Sequence, residues 1–598
     1  MKTNTISQIL KSIFGYDTFR PLQEACILSV LNKKDTLLLM PTGGGKSLCY
    51  QIPALVFPGL TVVISPLISL MKDQVTQLKE WGVEAEVLNS SLSPQEYAAN
   101  LRRVATGAVK LLFVAPETLC KPDILDLLAQ CRIDCITVDE AHCISEWGHD
   151  FRPDYRRIKD IRPRFPGAVF LAVTATATER VRQDIIADLG LKDPARLTAS
   201  FNRDNLFYEV LPKERATDQT LDFLKNFKGQ SGIIYCFSRR QVDRLTEDLN
   251  TYGFKALPYH AGLSSEARQR HQELFIRDDV AIIVATIAFG MGINKPNVRF
   301  VIHYDLPKNI ESYYQETGRA GRDGLKSHCL LLFSPGDSGK IRYFIEQKPE
   351  ARQRHVAQAH LNAMVDYAQT RKCRRIPLIT YFGEDYRGAN CGLCDNCVTP
   401  KEPTVDLTVE AVKFLQCVSE TEEIFGAGHV IHVLRGSQSE RIMRYYHNEC
   451  RCYGQGREYS FRQWQNLSRQ FVQEGALSKE KKYGVLHLNA RSYAILSGKQ
   501  AFEGYPPPSD KAQSKAGCVS RQTDYDRGLF DALRKKRKDL ADAKGVPPYV
   551  IFSDKSLVDM CEKLPANPND FLQIYGVGEQ KLRRFGDIFL SIINGRPR

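Results

Sequence analysis

Gly43, Gly44 and Gly45 stand directly ahead of Lys46 and Ser47 in the stretch LLLMPTGGGKSLCYQIPAL. Such a glycine run lets a backbone wrap an anion with its N–H groups turned inward, and a following helix adds the positive end of its dipole. In that setting Lys46 reaches the outer phosphates of a nucleotide and the Ser47 hydroxyl ligates Mg2+. The usual loop of this kind has a further glycine where this chain has Met40. Asp139 and Glu140 form a second reactive pair at the end of an apolar run. Asp139 can hold the Mg2+ and Glu140 can orient and deprotonate an attacking water, the two things in-line phosphoryl transfer asks of a protein. Arg319 and Arg322, three apart in YYQETGRAGRDG, are expected on one helical face, where they can meet charge developing on a terminal phosphate.

Directly after the acidic pair, DEAHCISEWGHDFRPDYRR sets Trp147 and Phe151 among Arg152, Arg156 and Arg157. Flat aromatic faces stack on exposed bases, and arginines meet phosphates. One loop would then touch both a nucleic acid and the acidic pair. The alternative is that Trp147 and Phe151 pack against a second α/β unit. Farther on, Cys373, Cys391, Cys394 and Cys397 have the spacing C-x17-C-x2-C-x2-C. Four thiolates make a closed tetrahedral zinc site, and the C-x2-C-x2-C run also suits an iron–sulfur cluster. Arg371, Lys372, Arg374 and Arg375 surround the first of them and can meet phosphates or form a solvated face. Cys450 and Cys452 fit none of these groups.

The elements that must position these residues are legible as alternation. TLLLM (36–40), LTVVIS (60–65), VKLLFVA (109–115), DCITVD (134–139) and VFLAVTAT (169–176) are short, β-branched runs separated by helix-period segments. The pattern restarts near residue 205 with SGIIYCFS (231–238), FKALPYHAG (254–262), VAIIVAT (280–286), FVIHYDLP (300–307) and CLLLFS (329–334). Continuous apolar strands alternating with helices predict two parallel α/β units. Residues 341–402 read as helical and then cysteine-rich. Residues 403–503 read as mainly helical with a hairpin, 504–522 as a Pro/Ser/Lys-rich linker, and 523–598 as a small helical domain. The expected boundaries of the α/β units are 1–204 and 205–340.

Net charge is +13, with 82 Lys and Arg against 69 Asp and Glu, which suits a polyanionic partner. No apolar run approaches the roughly 20 residues of a membrane span, and the start of the chain has no signal-peptide pattern, so a soluble, cytoplasmic protein is expected.

Several separated motifs carry a resemblance. FGYDTFRPLQ (14–23), MPTGGGKS, SPLISLMKDQ (65–74), DEAH (139–142), TATAT (174–178), VATIAFGMGINKP (284–296) and QETGRAGRDG (315–324) follow one another in this order. The chain resembles the RecQ family of superfamily 2 DNA helicases along nearly its whole length. The resemblance implies two tandem RecA-like domains with ATP between them, then a zinc-binding module, a winged helix and a helical HRDC bundle. It also accounts for the loop form MPTGGGKS, with Thr42 in its first turn. Tyr16 would stack on adenine, with Arg20 nearby and Gln23 reading the base. Trp147, Phe151 and Arg152 would belong to the loop that couples DNA binding to hydrolysis. The family commonly carries Gln where this chain has Glu146, which puts the strength of that coupling in question. Cys373, Cys391, Cys394 and Cys397 would hold zinc.

In the tail, SFRQWQNLSRQFVQEGAL (460–477) would be a recognition helix and SKEKKYGVLHLN (478–489) a wing, with Tyr483 and His487 as candidates for separating strands. A winged helix can also bind protein. Gly576 and Gly578 with Lys581 could face a phosphate, and Arg534 to Lys538 could bind a single strand. The resemblance implies 3′-to-5′ movement on single-stranded DNA, unwinding of duplex junctions in recombination and repair, and a location at the nucleoid. Single-stranded DNA-binding protein and a topoisomerase are implied as partners. An RNA helicase, a non-catalytic junction binder and a duplex translocase that does not separate strands remain the rival readings.

Overall fold

A computed structural model describes residues 2–148, 151–290, 295–388, 390–399, 403–480, 484–507 and 525–595. Residues 291–294 of the VATIAFGMGINKP motif, the wing candidate Tyr483 and the linker beyond residue 507 lie outside the described residues. The chain divides into two compact units. One takes residues 1–338, 373–395 and 518–598, and the other takes residues 339–372 and 396–517.

Two sheets organise the first unit. The strands of the first are β1 (Thr36–Leu39), β2 (Leu60–Ile64), β3 (Ala85–Leu88), β4 (Leu111–Val114), β5 (Ile133–Val138), β6 (Val169–Thr174) and β7 (Ala195–Thr198). They lie in the order β3-β4-β2-β5-β6-β1-β7, and every pairing is parallel. The inner strands are buried along their length because helices cover both faces. Parallel strands put all their carboxyl ends on one edge, so the loops after β1, β5 and β6 emerge side by side. These are the GGGKS, DEAH and TATAT loops.

The second sheet holds β8 (Leu206–Pro212), β9 (Ser231–Tyr235), β10 (Ala256–Tyr259), β11 (Ile282–Ala285), β12 (Val298–His303) and β13 (Ser327–Phe333), in the order β10-β11-β9-β12-β13-β8 and again parallel. The helix Ile310–Thr317 ends at Gly318, and turns at Gly321 (φ 56°) and Gly324 (φ 85°) follow. The expectation of a shared helical face for Arg319 and Arg322 is therefore corrected. Both stand on these turns, where glycines supply the left-handed backbone a helix cannot.

The last residues of this unit form a helical bundle around Phe552, Phe571, Phe585 and Phe589. It packs on the second sheet's unit through Tyr549, Val550 and Ile276.

The second unit contains the helix Ala351–Gln369 and a helical domain with a core of Phe414, Val430, Trp464, Leu467, Phe471 and Phe502. Its helix Phe461–Gln473 opens on a capping box of Ser460 and Gln463. Strand β14 (Val405–Asp406) pairs with β17 (Glu503–Gly504), and β15 (Ser478–Lys479) pairs antiparallel with β16 (Leu486–His487), which forms the base of the expected hairpin. Among the described residues, no helix is long and apolar enough to cross a membrane.

Candidate nucleotide site and nucleic-acid interface

The loop after β1 turns on Gly43 (φ 81°) and Gly45 (φ 89°), backbone angles that side chains disfavour. A Cβ on Gly44 would sit 2.5 Å from Met40 Cγ, so Met40 fills the space behind the loop. Gln23 braces it from outside, donating to the Gly45 carbonyl at 2.9 Å while its Oε1 accepts from the Arg20 backbone N–H at 2.8 Å. Arg20 donates to the Gly43 carbonyl. Lys46 Nζ bonds the Met40 carbonyl at 3.1 Å. Burial pushes its ammonium below the ordinary lysine range, while Glu140 and Asp139 oppose that shift.

Asp139 and Glu140 follow β5, and Glu140 holds a left-handed backbone (φ 49°). Burial and the neighbouring Glu140 raise the Asp139 carboxyl to about 7, against the pull of Lys46. Glu140 Oε2 is buried without a hydrogen-bond partner among the described residues and lies 3.4 Å from His142 Nδ1. His142 in turn pairs with Thr174 Oγ1 at 2.8 Å. Thr174 meets the Thr176 backbone at 3.4 Å, and Thr176 Oγ1 accepts from Gln315 Nε2 of the second sheet's unit at 3.4 Å. A chain of polar contacts thus leads from the acidic pair to the helix that precedes Arg319.

These groups line one cavity of about 510 Å3, with Tyr16, Arg20, Gln23, Thr42, Gly43, Gly45, Lys46, Ser47, Asp139, Glu140, Arg319 and Arg322 in its wall. Burial, Arg319 and Arg203 push the Arg322 guanidinium down to about 9. Arg319 Nε is buried without a hydrogen-bond partner among the described residues. Arg203 carries no motif signal, yet it ties the two sheets. It donates to the Thr42 carbonyl and, at 2.9 Å, to the Gly321 carbonyl. Arg20, Lys46, Arg319 and Arg322 crowded into one cavity with orphaned polar atoms suit a polyanion such as the phosphates of a nucleotide. The Ser47 hydroxyl and the Asp139 carboxylate in the same wall are oxygen donors that suit the Mg2+ that accompanies them.

The helical bundle also lines this cavity, through Tyr549, Lys555, Tyr575, Gly576 and Lys581. Tyr575 lies 5.1 Å from Tyr16, ring centre to ring centre, and its hydroxyl accepts from Arg20 at 3.2 Å. Gly576 donates its N–H to the Gly15 carbonyl at 3.0 Å. Arg537 is buried against Asp554 at 2.8 Å, and Lys538 pairs with Asp279 at 2.7 Å. The expectation that Arg537 binds a single strand is corrected, since it is buried against a carboxylate of the protein itself.

The aromatic loop is anchored to the acidic pair. Arg152 donates its N–H to the Cys143 carbonyl at 2.8 Å, and its guanidinium reaches the Pro66 carbonyl at 3.0 Å. The Trp147 N–H bonds Ser145 Oγ at 3.1 Å, and Ser145 bonds Asp184 at 2.5 Å. Trp147 is half-buried, with the Arg180 guanidinium 3.4 Å from its ring centre. Phe151 is half-buried, with Arg156 4.9 Å away. Glu146 pairs with Arg156 at 3.0 Å, so the carboxylate at this position is partly neutralised within the loop.

The ligand atoms of Cys373, Cys391, Cys394 and Cys397 all lie within 4.8 Å of one another, a donor set that fits one tetrahedral zinc. Arg374 grips Asp395 with both ends of its guanidinium, at 2.6 and 2.7 Å. Arg375 is buried and donates to Asn202 Oδ1 at 2.8 Å and to the carbonyls of Arg203 and Leu206 at 2.8 and 2.9 Å. Both readings of Arg374 and Arg375, phosphate contact and solvated face, are corrected, because both side chains are buried and spent holding the cysteine segment to β8.

A family model for DEAD/DEAH box helicases matches residues 20–185, and one for the helicase conserved C-terminal domain matches residues 213–324. Together with the paired sheets, they define the class as a helicase with two RecA-like domains. Models for the RecQ zinc-binding, RQC and HRDC domains match residues 335–398, 401–513 and 526–593. An ATP-dependent DNA helicase RecQ of Haemophilus influenzae is 43% identical over 98% of this chain and 96% of its own length. A protein of the same name from Bacillus subtilis is 39% identical over 99% and 98%. The chain belongs to the RecQ family.

Proposed function

We propose that the protein is an ATP-dependent DNA helicase, in which ATP hydrolysis between the two RecA-like domains drives translocation on single-stranded DNA and separation of the duplex ahead. The observation that carries this reading is the cavity in which Lys46, Arg319 and Arg322 converge with Asp139 and Glu140 in one wall.

In this reading the amides of Gly43, Gly44 and Gly45 cradle the phosphates, with Thr42 beside them. Lys46 neutralises the outer phosphates, and Ser47 and Asp139 hold Mg2+. Glu140 orients the attacking water. Arg319 and Arg322 meet the charge that spreads over the transferring phosphoryl group, and because they come from the other domain, hydrolysis is tied to domain closure. Tyr16 stacks on adenine, with Arg20 and Gln23 beside it. Zinc, where bound, cross-links Cys373, Cys391, Cys394 and Cys397 and stiffens the segment that Arg374 and Arg375 dock.

Trp147 and Phe151 stack on bases, and a shift of their loop moves the backbone at Asp139. Arg152 acts from its place on the Pro66 carbonyl as the brace of that loop. We assign the domains as 1–204, 205–340, 341–402, 403–503 and 523–598, with 504–522 as a linker. We further propose 3′-to-5′ movement, a role in recombination and repair at the nucleoid of the cytoplasm, and single-stranded DNA-binding protein as a partner.

The test is strand separation of a 3′-tailed DNA duplex with ATP and Mg2+. The wild type should unwind it and Lys46→Ala should not. Hydrolysis without unwinding on every tailed substrate would replace helicase with duplex translocase.

A further inference from the structure

Cys450 and Cys452 play no part in the nucleotide site or the four-cysteine cluster, yet they do not sit alone. The helix Thr408–Glu420 carries Cys417 and Glu420 three apart, on one face. After the short turn His447–Glu449 the chain returns to that face with Cys450 and Cys452. A carboxylate oxygen of Glu420 and the Sγ atoms of Cys450 and Cys452 all lie within 4.8 Å of one another. Glu420 Oε2 accepts the Cys452 backbone N–H at 3.1 Å, which fixes the carboxylate against the thiols. The Cys450 thiol points at the Glu420 carbonyl, 3.8 Å away. On the inner side, the buried thiol of Cys417 donates to the Val430 carbonyl at 3.6 Å. None of the three cysteines is in a disulfide.

A buried cysteine by itself is an ordinary small core residue. Thiols and a carboxylate converging from two separate segments are instead the donor types that bind zinc. We infer that Glu420, Cys450 and Cys452 form a second site for a thiophilic divalent cation, distinct from the Cys373–Cys397 cluster. Binding releases the thiol protons to solvent and leaves thiolates on the metal. Cys450 is half-buried, which leaves a way in from solvent.

The site would staple the first helix of the winged-helix domain to the segment running on to Gly456. The Gly456 carbonyl accepts from Trp464 Nε1 at 2.6 Å. Trp464 lies on the helix Phe461–Gln473, so the staple acts on the seat of the expected recognition helix.

The experiment measures bound metal in the full-length protein after saturation with Zn2+ and removal of loose ions, by elemental analysis. Two zinc equivalents per chain are expected, and the double variant Cys450→Ser, Cys452→Ser should hold one. Should that variant fail to fold, Glu420→Gln, washed with a mild chelator, should lose the second equivalent while keeping the first. A wild type that saturates at one equivalent would overturn the inference, as would a double variant that still binds two.

Discussion

The Tyr155 hydroxyl, fully buried, donates to the main-chain carbonyl of Asp139 at 2.9 Å. It lies just past the aromatic loop and fastens that loop to the strand end that carries the acidic pair. Tyr155→Phe removes this one bond and leaves the ring. A buried carbonyl left without its donor costs about 1–3 kcal/mol. A lower melting temperature is therefore expected, together with a loss of DNA-stimulated ATP hydrolysis larger than any loss of basal hydrolysis. Equal losses of both rates would reduce Tyr155 to a packing residue.

Trp147 presents a half-buried ring with the Arg180 guanidinium 3.4 Å from its centre. Trp147→Ala should keep basal hydrolysis and lose most of the stimulation by single-stranded DNA. Base stacking is worth about 1–3 kcal/mol, so single-strand affinity measured by fluorescence anisotropy should fall roughly 5- to 150-fold. Unchanged stimulation would return Trp147 to a packing role.

Which parts of this arrangement were legible in the sequence follows from local against distant causes. The inner strands were readable because burial on both faces makes them continuous apolar runs. Three edge strands were not. β3 hides Glu86 in its middle, neutralised by Lys79 and Arg103. β7 is exposed at alternate residues, and β8 carries Glu209, paired with His328 at 2.8 Å. In the site, Lys46, Asp139 and Glu140 announce themselves through their neighbours in the chain. Arg203 and the bundle's Tyr575 matter through contacts made across long sequence distances, which no local pattern records. The same limit explains why Arg374, Arg375 and Arg537 read as phosphate contacts. A basic residue looks the same in sequence whether its anion is a nucleic acid or a carboxylate of its own fold.

Arg375 gives that point a measurable consequence. Its guanidinium satisfies Asn202 and the carbonyls of Arg203 and Leu206, with Leu393 at 3.2 Å. Arg375→Ala strands several buried acceptors and should cost about 3 kcal/mol or more in chemical denaturation, with zinc lost at lower denaturant than in the wild type. Arg375→Lys should rescue little, because an ammonium cannot span the same fork of acceptors.

Lys581 offers a pH test of the bundle's seat. Burial pushes its ammonium down to about 8, with Glu80 pulling the other way. The unfolded chain titrates this group near 10.4, so between about 8 and 10.4 it binds more protons than the folded one. Stability should therefore rise with pH across that window and lose this contribution as pH falls toward 8. Lys581→Met should be more stable at neutral pH and flatter across the window, as read by thermal melts. A wild type and variant with parallel pH profiles would contradict a buried ammonium here.

The most direct measurement is ATP hydrolysis by the full-length protein with no nucleic acid, with single-stranded DNA and with RNA of the same sequence, run beside Lys46→Ala. Strong stimulation by DNA, little by RNA and no turnover by Lys46→Ala are expected. Equal stimulation by RNA would reopen the substrate class, and a wild type that does not hydrolyse ATP under any of the three conditions would contradict the account at its centre.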